Sequence, residues 1–76
     1  MDPTNLGRRE RQIMDVVFRL GRACVKDVLA GLEEPPTYST VRAMLGKLEK
    51  KRYLSHVEDG PRYIYLPAVS KEEAGR

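Results

Sequence analysis

The stretch TYSTVRAMLGKLEKKRYL, residues 37–54, decides the fold. Val41, Met44, Leu45 and Leu48 recur at i, i+3, i+4 and i+7, the spacing of a helix with one apolar face. Thr37 suits the N-cap, because a threonine oxygen can accept one of the amides that a helix start leaves unpaired. At ~100° per residue, the side opposite the apolar face holds Ser39, Ala43, Gly46 and Lys50, with Arg42 on one flank and Lys47 on the other. Small side chains let a helix backbone come close to another surface. Glycine inside a helix costs about 1 kcal/mol relative to alanine, a penalty that close approach to a partner would justify. This face reads as a docking face edged with cations.

The segments on either side supply what this helix packs against. Upstream, Leu6, Ile13, Val17 and Leu20 form one stripe, widened by Met14, Val16 and Phe18, which predicts a first helix from about Leu6 to Leu20 ending at Gly21. CVKDVLAGL, residues 24–32, places Val25, Val28, Leu29 and Leu32 on one side of a short second helix. EEPP ends it, since Pro35 and Pro36 donate no backbone hydrogen bond and bias the preceding residue away from helix. After Arg52 the period changes. Leu54–Glu58 and Arg62–Leu66 read as strands separated by the turn signal DGP; alternation leaves open whether Tyr63 and Tyr65 or Ile64 and Leu66 face inward, and the tyrosines are the expected choice. SKEE, residues 70–73, is a capping box, the start of a further helix.

Three helices followed by a hairpin make an α+β, mainly α, domain: a winged helix-turn-helix spanning residues 1–69, with the third helix covering about 38–52 and residues 70–76 beginning a helix or linker. Composition agrees. With 76 residues, 41% of them hydrophobic and 33% charged, the chain is one small domain with no room for a deep substrate cleft. No apolar run approaches the ~18 residues of a membrane span, and the N-terminus lacks the order of a signal peptide, so a cytoplasmic protein is expected. One cysteine and one histidine supply neither a disulfide nor a zinc site, and no set of nucleophile, base and charge stabiliser is present. The sequence points to neither an enzyme nor a cofactor. Net charge is +3, with an isoelectric point near 9.2. Residues 38–52 hold five cations against Glu49, a net of +4 that exceeds the charge of the whole chain. The basic excess belongs to one helix, as a major-groove reader requires. Two functional classes remain: a duplex-DNA binder and a winged helix that binds an acidic protein.

RRERQIMDVVFRLGRACVKDVLAGL (8–32), YSTVRAMLGKLEKK (38–51) and DGPRYIYLP (59–67) together resemble the DNA-binding half of the BlaI/MecI/CopY family of bacterial repressors, also called penicillinase repressors. The most telling pieces are Glu10 with Ile13, Met14 and Asp15 ahead of RLG, the TVxxML beginning at Thr40, and YIY followed by Pro67. The resemblance covers about residues 6–73. It implies a repressor that binds a palindromic operator as a homodimer, third helix in the major groove and wing on the backbone. In that family a C-terminal helical region makes the dimer contacts, and proteolysis or copper binding there relieves repression. This sequence stops at Arg76 without those features, so the expectation is a truncated or short member, monomeric by itself.

The departures from the family are specific. Gly7 and Cys24 stand where Thr or Ser usually caps helices one and two, so weaker N-termini are expected. Arg52 replaces the glycine that commonly follows the third helix, which makes a left-handed residue there costly. Pro61 occupies a wing position where arginine is common, and Arg62 comes one residue later.

The expected DNA-binding set is therefore Tyr38, Ser39, Thr40, Arg42, Ala43, Gly46, Lys47, Lys50 and Arg62. Ser39 and Thr40 sit near free helix amides that favour phosphate, and Tyr38 either bonds a phosphate or packs in the core. Cys24 is expected as a small, partly buried residue, His56 as an ordinary strand residue, and the arginines at 8, 9 and 11 as solvated.

Overall fold

A computed structural model describes residues 6–70. It contains α1 (Arg8–Leu20), α2 (Val25–Gly31), α3 (Tyr38–Lys50), β1 (Leu54–Asp59) and β2 (Arg62–Pro67), in the expected order. The capping box at 70–73 falls almost wholly outside the described residues. The core gathers Ile13, Met14, Val16 and Val17 from α1, Val25 and Val28 from α2, Val41, Leu45 and Leu48 from α3, and Tyr53, Leu54 and Tyr65 from the hairpin region.

The helix starts are better held than cap residues alone suggest. Gly7 and Cys24 are the N-caps, as expected, but each is fixed from three residues ahead. The Gly7 amide donates to Glu10 Oε1 at 2.9 Å, and the Cys24 amide donates to Asp27 Oδ2 at 3.1 Å. The bond from the Cys24 amide holds the Asp27 carboxyl below its ordinary pKa. Thr37 caps α3 in the usual way, its Oγ1 accepting from the Thr40 amide at 3.2 Å.

At its other end α3 stops two residues earlier than the sequence suggests. Lys51 is the C-cap and Arg52 adopts φ 69°. The Tyr53 amide reaches back to the Leu48 carbonyl at 3.0 Å and the Arg52 amide to the Glu49 carbonyl at 2.9 Å, the paired bonds of a Schellman ending. That ending turns the chain sharply and puts Tyr53, 1% exposed, into the core beside Leu48. The expected left-handed residue is therefore present, carried by an arginine at some steric cost.

Two packing details position α3. Gly31 lies where α2 crosses α1, and a Cβ there would stand 2.8 Å from Val16 Cγ1, so the crossing depends on the missing side chain. Glu10, 6% exposed, joins α1 to the end of α3, since Lys51 Nζ donates to both of its carboxylate oxygens at 3.1 Å. Burial alone would raise the Glu10 pKa, but the Gly7 amide and the Lys51 ammonium outweigh it and hold the group below its usual value. Lys51, counted from sequence among the helix's surface cations, thus spends its charge inside the protein.

The hairpin pairs antiparallel from Leu54↔Pro67 to Asp59↔Arg62 around Gly60, φ 62°, and Pro61. Ala23, between α1 and α2, adds a bridge to β2 through two bonds with Tyr65, at 2.9 and 2.8 Å. The inward assignment holds for Tyr65, which is 4% exposed. Tyr63 shares its face, but lies beyond the core and is 39% exposed. Leu20 is a correction to the sequence reading. It continues the α1 stripe, yet it is the last residue of the helix, where nothing covers it, and is 49% exposed.

Two stability outcomes follow. Glu10→Gln should lower unfolding free energy by about 2 kcal/mol at neutral pH. Because the folded pKa is depressed, the gap to wild type should close as pH falls through ~4 and below, as read by denaturant titrations at several pH values. Arg52→Gly should raise stability by about 1 kcal/mol by relieving the left-handed strain, measured by thermal unfolding.

Candidate nucleic-acid interface

The apolar side of α3 is sealed, with Val41, Leu45 and Leu48 all at 0% exposure, so its remaining surface faces outward. Tyr38, Ser39, Thr40, Arg42, Ala43, Lys47 and Lys50 are exposed and Gly46 is half-buried. The face identified from sequence is thus not covered by the protein's own body. No heavy atom beyond its immediate chain surroundings lies within 4 Å of a Cβ built on Gly46, so no internal packing requires glycine there.

A groove of about 430 Å³ runs between α3 and the hairpin, lined by Tyr38, Ser39, Arg42, Ala43, Gly46 and Glu49 on one side and Tyr63 and Tyr65 on the other. It meets a second cleft, about 520 Å³, in which Arg42, Tyr38 and the tyrosines face Lys26, Cys24 and Arg62. The structure therefore brings Tyr38, Ser39, Arg42, Ala43 and Gly46 together with the wing. Lys47 and Lys50 stand exposed outside this groove, farther along α3. Among the described residues Arg42, Lys47 and Lys50 enter no ion pair.

Two members of the expected set are engaged within the protein. The Thr40 hydroxyl lies 2.9 Å from Thr37 Oγ1, and its amide is the one that Thr37 caps. Arg62 folds back on the turn, its Nε and Nη2 donating to Asp59 Oδ2 at 3.2 and 3.1 Å, while Nη1 lies 3.9 Å from Cys24 Sγ. The Asp59 partnership raises the arginine's pKa further above its ordinary value. Cys24 is buried as expected, at 5% exposure.

The sequence reading missed the carboxylate and the aromatics of the groove. Glu49 is the one acid of α3, and His56 Nδ1 lies 2.6 and 2.8 Å from its two oxygens. His56 is therefore a tie between wing and helix, a correction to its expected role as an ordinary strand residue. Tyr65 is held above its usual pKa, first by burial and then by the Glu49 charge, so its hydroxyl remains a donor. A pair formed by residues on two elements leaves no periodic trace in the sequence. Among the described residues there is no helix long and apolar enough to cross a membrane and no group of side chains suited to hold a metal.

The sequence profile of the penicillinase repressor family matches residues 6–76. The chain belongs to that family. Penicillinase repressors are transcriptional repressors and not enzymes. The solution structure of the DNA-binding domain of the repressor BlaI superposes with a TM-score of 0.80 at 22% identity, covering 95% of this chain and 90% of that one. The CopR repressor superposes at 0.71 with 31% identity, over 87% of this chain and 99% of its own. The monomeric form of Bacillus licheniformis BlaI, solved in complex with the blaP half-operator, superposes at 0.73 with 23% identity, over 90% and 85% of the two chains. No curated protein sequence matches significantly. The winged-helix architecture of this penicillinase repressor is thereby shared with solved repressor structures.

Because a Cβ on Gly46 would meet nothing outside its own helix within 4 Å, Gly46→Ala should stabilise the folded domain by about 1 kcal/mol through helix propensity alone, measured by thermal or denaturant unfolding.

Proposed function

We propose that the chain binds duplex DNA by laying the exposed face of α3 in the major groove, with the hairpin wing against the neighbouring backbone, and represses transcription by occupying the operator. The observation that carries this reading is the open strip of Ser39, Ala43 and Gly46, edged by Arg42, Lys47 and Lys50, none of which has an ion-pair partner among the described residues. A helix ~10–12 Å across fits a groove ~12 Å wide. A strip of small side chains lets the helix settle deeply, and unpaired cations at its edges meet phosphates and guanine edges without breaking an internal bond.

The roles divide by position. Arg42, in the middle of the helix and beside the groove, is the base reader, since a planar guanidinium can address guanine bidentately. Lys47 and Lys50, toward the C-terminal end, serve as phosphate contacts, as does Ser39 near the N-terminus of α3. Tyr38 stands half-exposed at the mouth of the groove and offers its hydroxyl to the backbone. Thr40 acts chiefly through the cap it completes with Thr37. Arg62 reaches DNA only by releasing Asp59, so its contribution is smaller than an unpaired arginine's would be. Residues 1–69 act as one DNA-binding domain, and the sequence of 70–76 reads as the start of a helix or linker. Among the described residues the large apolar side chains left exposed are Leu20, Tyr38, Val57 and Tyr63, a small set that supports a monomeric domain in dilute solution. A palindromic operator then takes two copies, one per half-site. The complex of the related BlaI monomer with a half-operator supports this stoichiometry.

Duplex selection from random sequence, read at two salt concentrations, tests the proposal. Lys50→Ala should reduce the slope of log K against log salt by about one, weakening all sequences alike, whereas Arg42→Ala should cost roughly 1–3 kcal/mol at one base position and relax preference there. Absence of duplex binding at low salt would instead favour an acidic protein as the partner. A tight dimer in sedimentation would overturn the monomer.

A further inference from the structure

We propose that Glu49, His56 and Tyr63 form a clamp that sets the spacing between the wing and α3, making Glu49 and His56 positioning residues for duplex binding; this rests on the DNA reading above. Each member lies on a different element: Glu49 on α3, His56 on β1 and Tyr63 on β2. His56 Nδ1 reaches both Glu49 oxygens, and the other side of the imidazole is stacked on Tyr63, with ring centroids 4.1 Å apart and planes 12° from parallel. Tyr65 closes the cluster at 5.8 Å from the histidine ring and 6.4 Å from Tyr63. Glu49, Tyr63 and Tyr65 all line the groove between helix and wing, so the clamp lies at the floor of the surface that DNA would enter.

Below this cluster the hairpin is tied to the body by Tyr65, through its burial and its bridge to Ala23. Toward the tip, Val57, Glu58, Asp59, Gly60, Pro61, Arg62 and Tyr63 are all exposed. The clamp sits at the boundary, where it decides whether the tip follows the helix. A second effect has the same sign. Glu49 is the one carboxylate of the groove, and an unpaired carboxylate there would repel phosphate. Paired with a protonated imidazole, it does not.

The titratable groups against His56 are Glu49 from α3 and Tyr63 and Tyr65 from β2; Arg42 and Tyr38 of α3 act on Tyr65 beside it, and Glu58 stands two residues along its own strand on the same face. Only histidine among these residue types ordinarily changes charge between pH 5 and 8. Protonation strengthens the attraction to Glu49, so the wing is held more firmly at the acid end of that range and duplex binding is tighter there. The His56 and Glu49 side chains are 27% and 33% exposed, so the effect is that of a partly solvated ion pair.

The test measures duplex affinity at about pH 6 and about pH 8 for wild type, His56→Gln, Glu49→Gln and the double variant. Wild type should bind roughly two- to fivefold more tightly at the lower pH. Both single variants should lose that difference, and the double variant should bind no more weakly than the weaker single. If Glu49→Gln keeps the wild-type pH difference, His56 acts on phosphate directly and the clamp is overturned. Additive losses in the double variant would overturn it as well. ¹⁵N relaxation of residues 58–63 in the free protein separates the clamp from the DNA reading. The wing tip should be more ordered at the lower pH in wild type and insensitive to pH in both single variants. A wild-type wing whose order ignores pH overturns the clamp even if DNA binds. A pH-ordered wing in a protein that binds no duplex supports the clamp and rejects the DNA reading alone.

Discussion

Everything in this domain depends on α3 being held by one side only. Val41, Leu45 and Leu48 are withdrawn completely from solvent, and burying each such side chain is worth roughly 1.5–3 kcal/mol. In a domain whose net stability is on the order of 5–15 kcal/mol, that anchoring is a large share of the whole. It explains why the opposite strip can be given to alanine, glycine and serine, which add nothing to the core. The helix is stable without its outer face, and the outer face is thereby available to a partner.

Polar contacts then fix where the anchored helix points. Glu10 is shared between the amide at the start of α1 and the lysine at the end of α3, so one buried carboxylate locks the two ends together. A charge this deep is tolerable because hydrogen bonds surround it, and its depressed pKa reports that the partners outweigh desolvation. At the same end the Schellman turn sends the chain straight into β1. The direction in which the chain leaves α3 for the wing is therefore set by backbone bonds, with Arg52 bearing the conformational cost, while the Glu10–Lys51 pair fixes α3 against α1.

The distribution of positive charge looks different once partners are known. Five cations in residues 38–52 suggest a uniformly basic helix. Lys51 is bound to Glu10, Arg62 on the wing is tied to the turn, and the one acid of α3 is bonded to His56. Arg42, Lys47 and Lys50 remain along the exposed face of α3, and Arg52 stands exposed just past its end. Of these only Arg42 lines the groove between α3 and the wing.

Much of the fold and the exposed face of α3 that forms the candidate site could be read from the sequence, since both are expressed in local periods. Apolar spacing located three helices and identified the outer face of α3, DGP located the turn, and Thr37 marked a helix start. Those are properties of a single segment, and the geometry of one helix or strand dictates which residues share a side. Sequence alone could not say what would lie against each side. Leu20 continues an apolar stripe but overhangs the end of its helix, Tyr53 enters the core because a left-handed turn aims it there, and Lys51 finds Glu10 forty-one residues away. His56 meets Glu49 across a gap that exists only once the hairpin has docked on Ala23. The sequence by itself determined the elements, their faces and the family; the tertiary structure decided which charges remained free and what fixes the wing, because those depend on distances between segments that no period along the chain encodes.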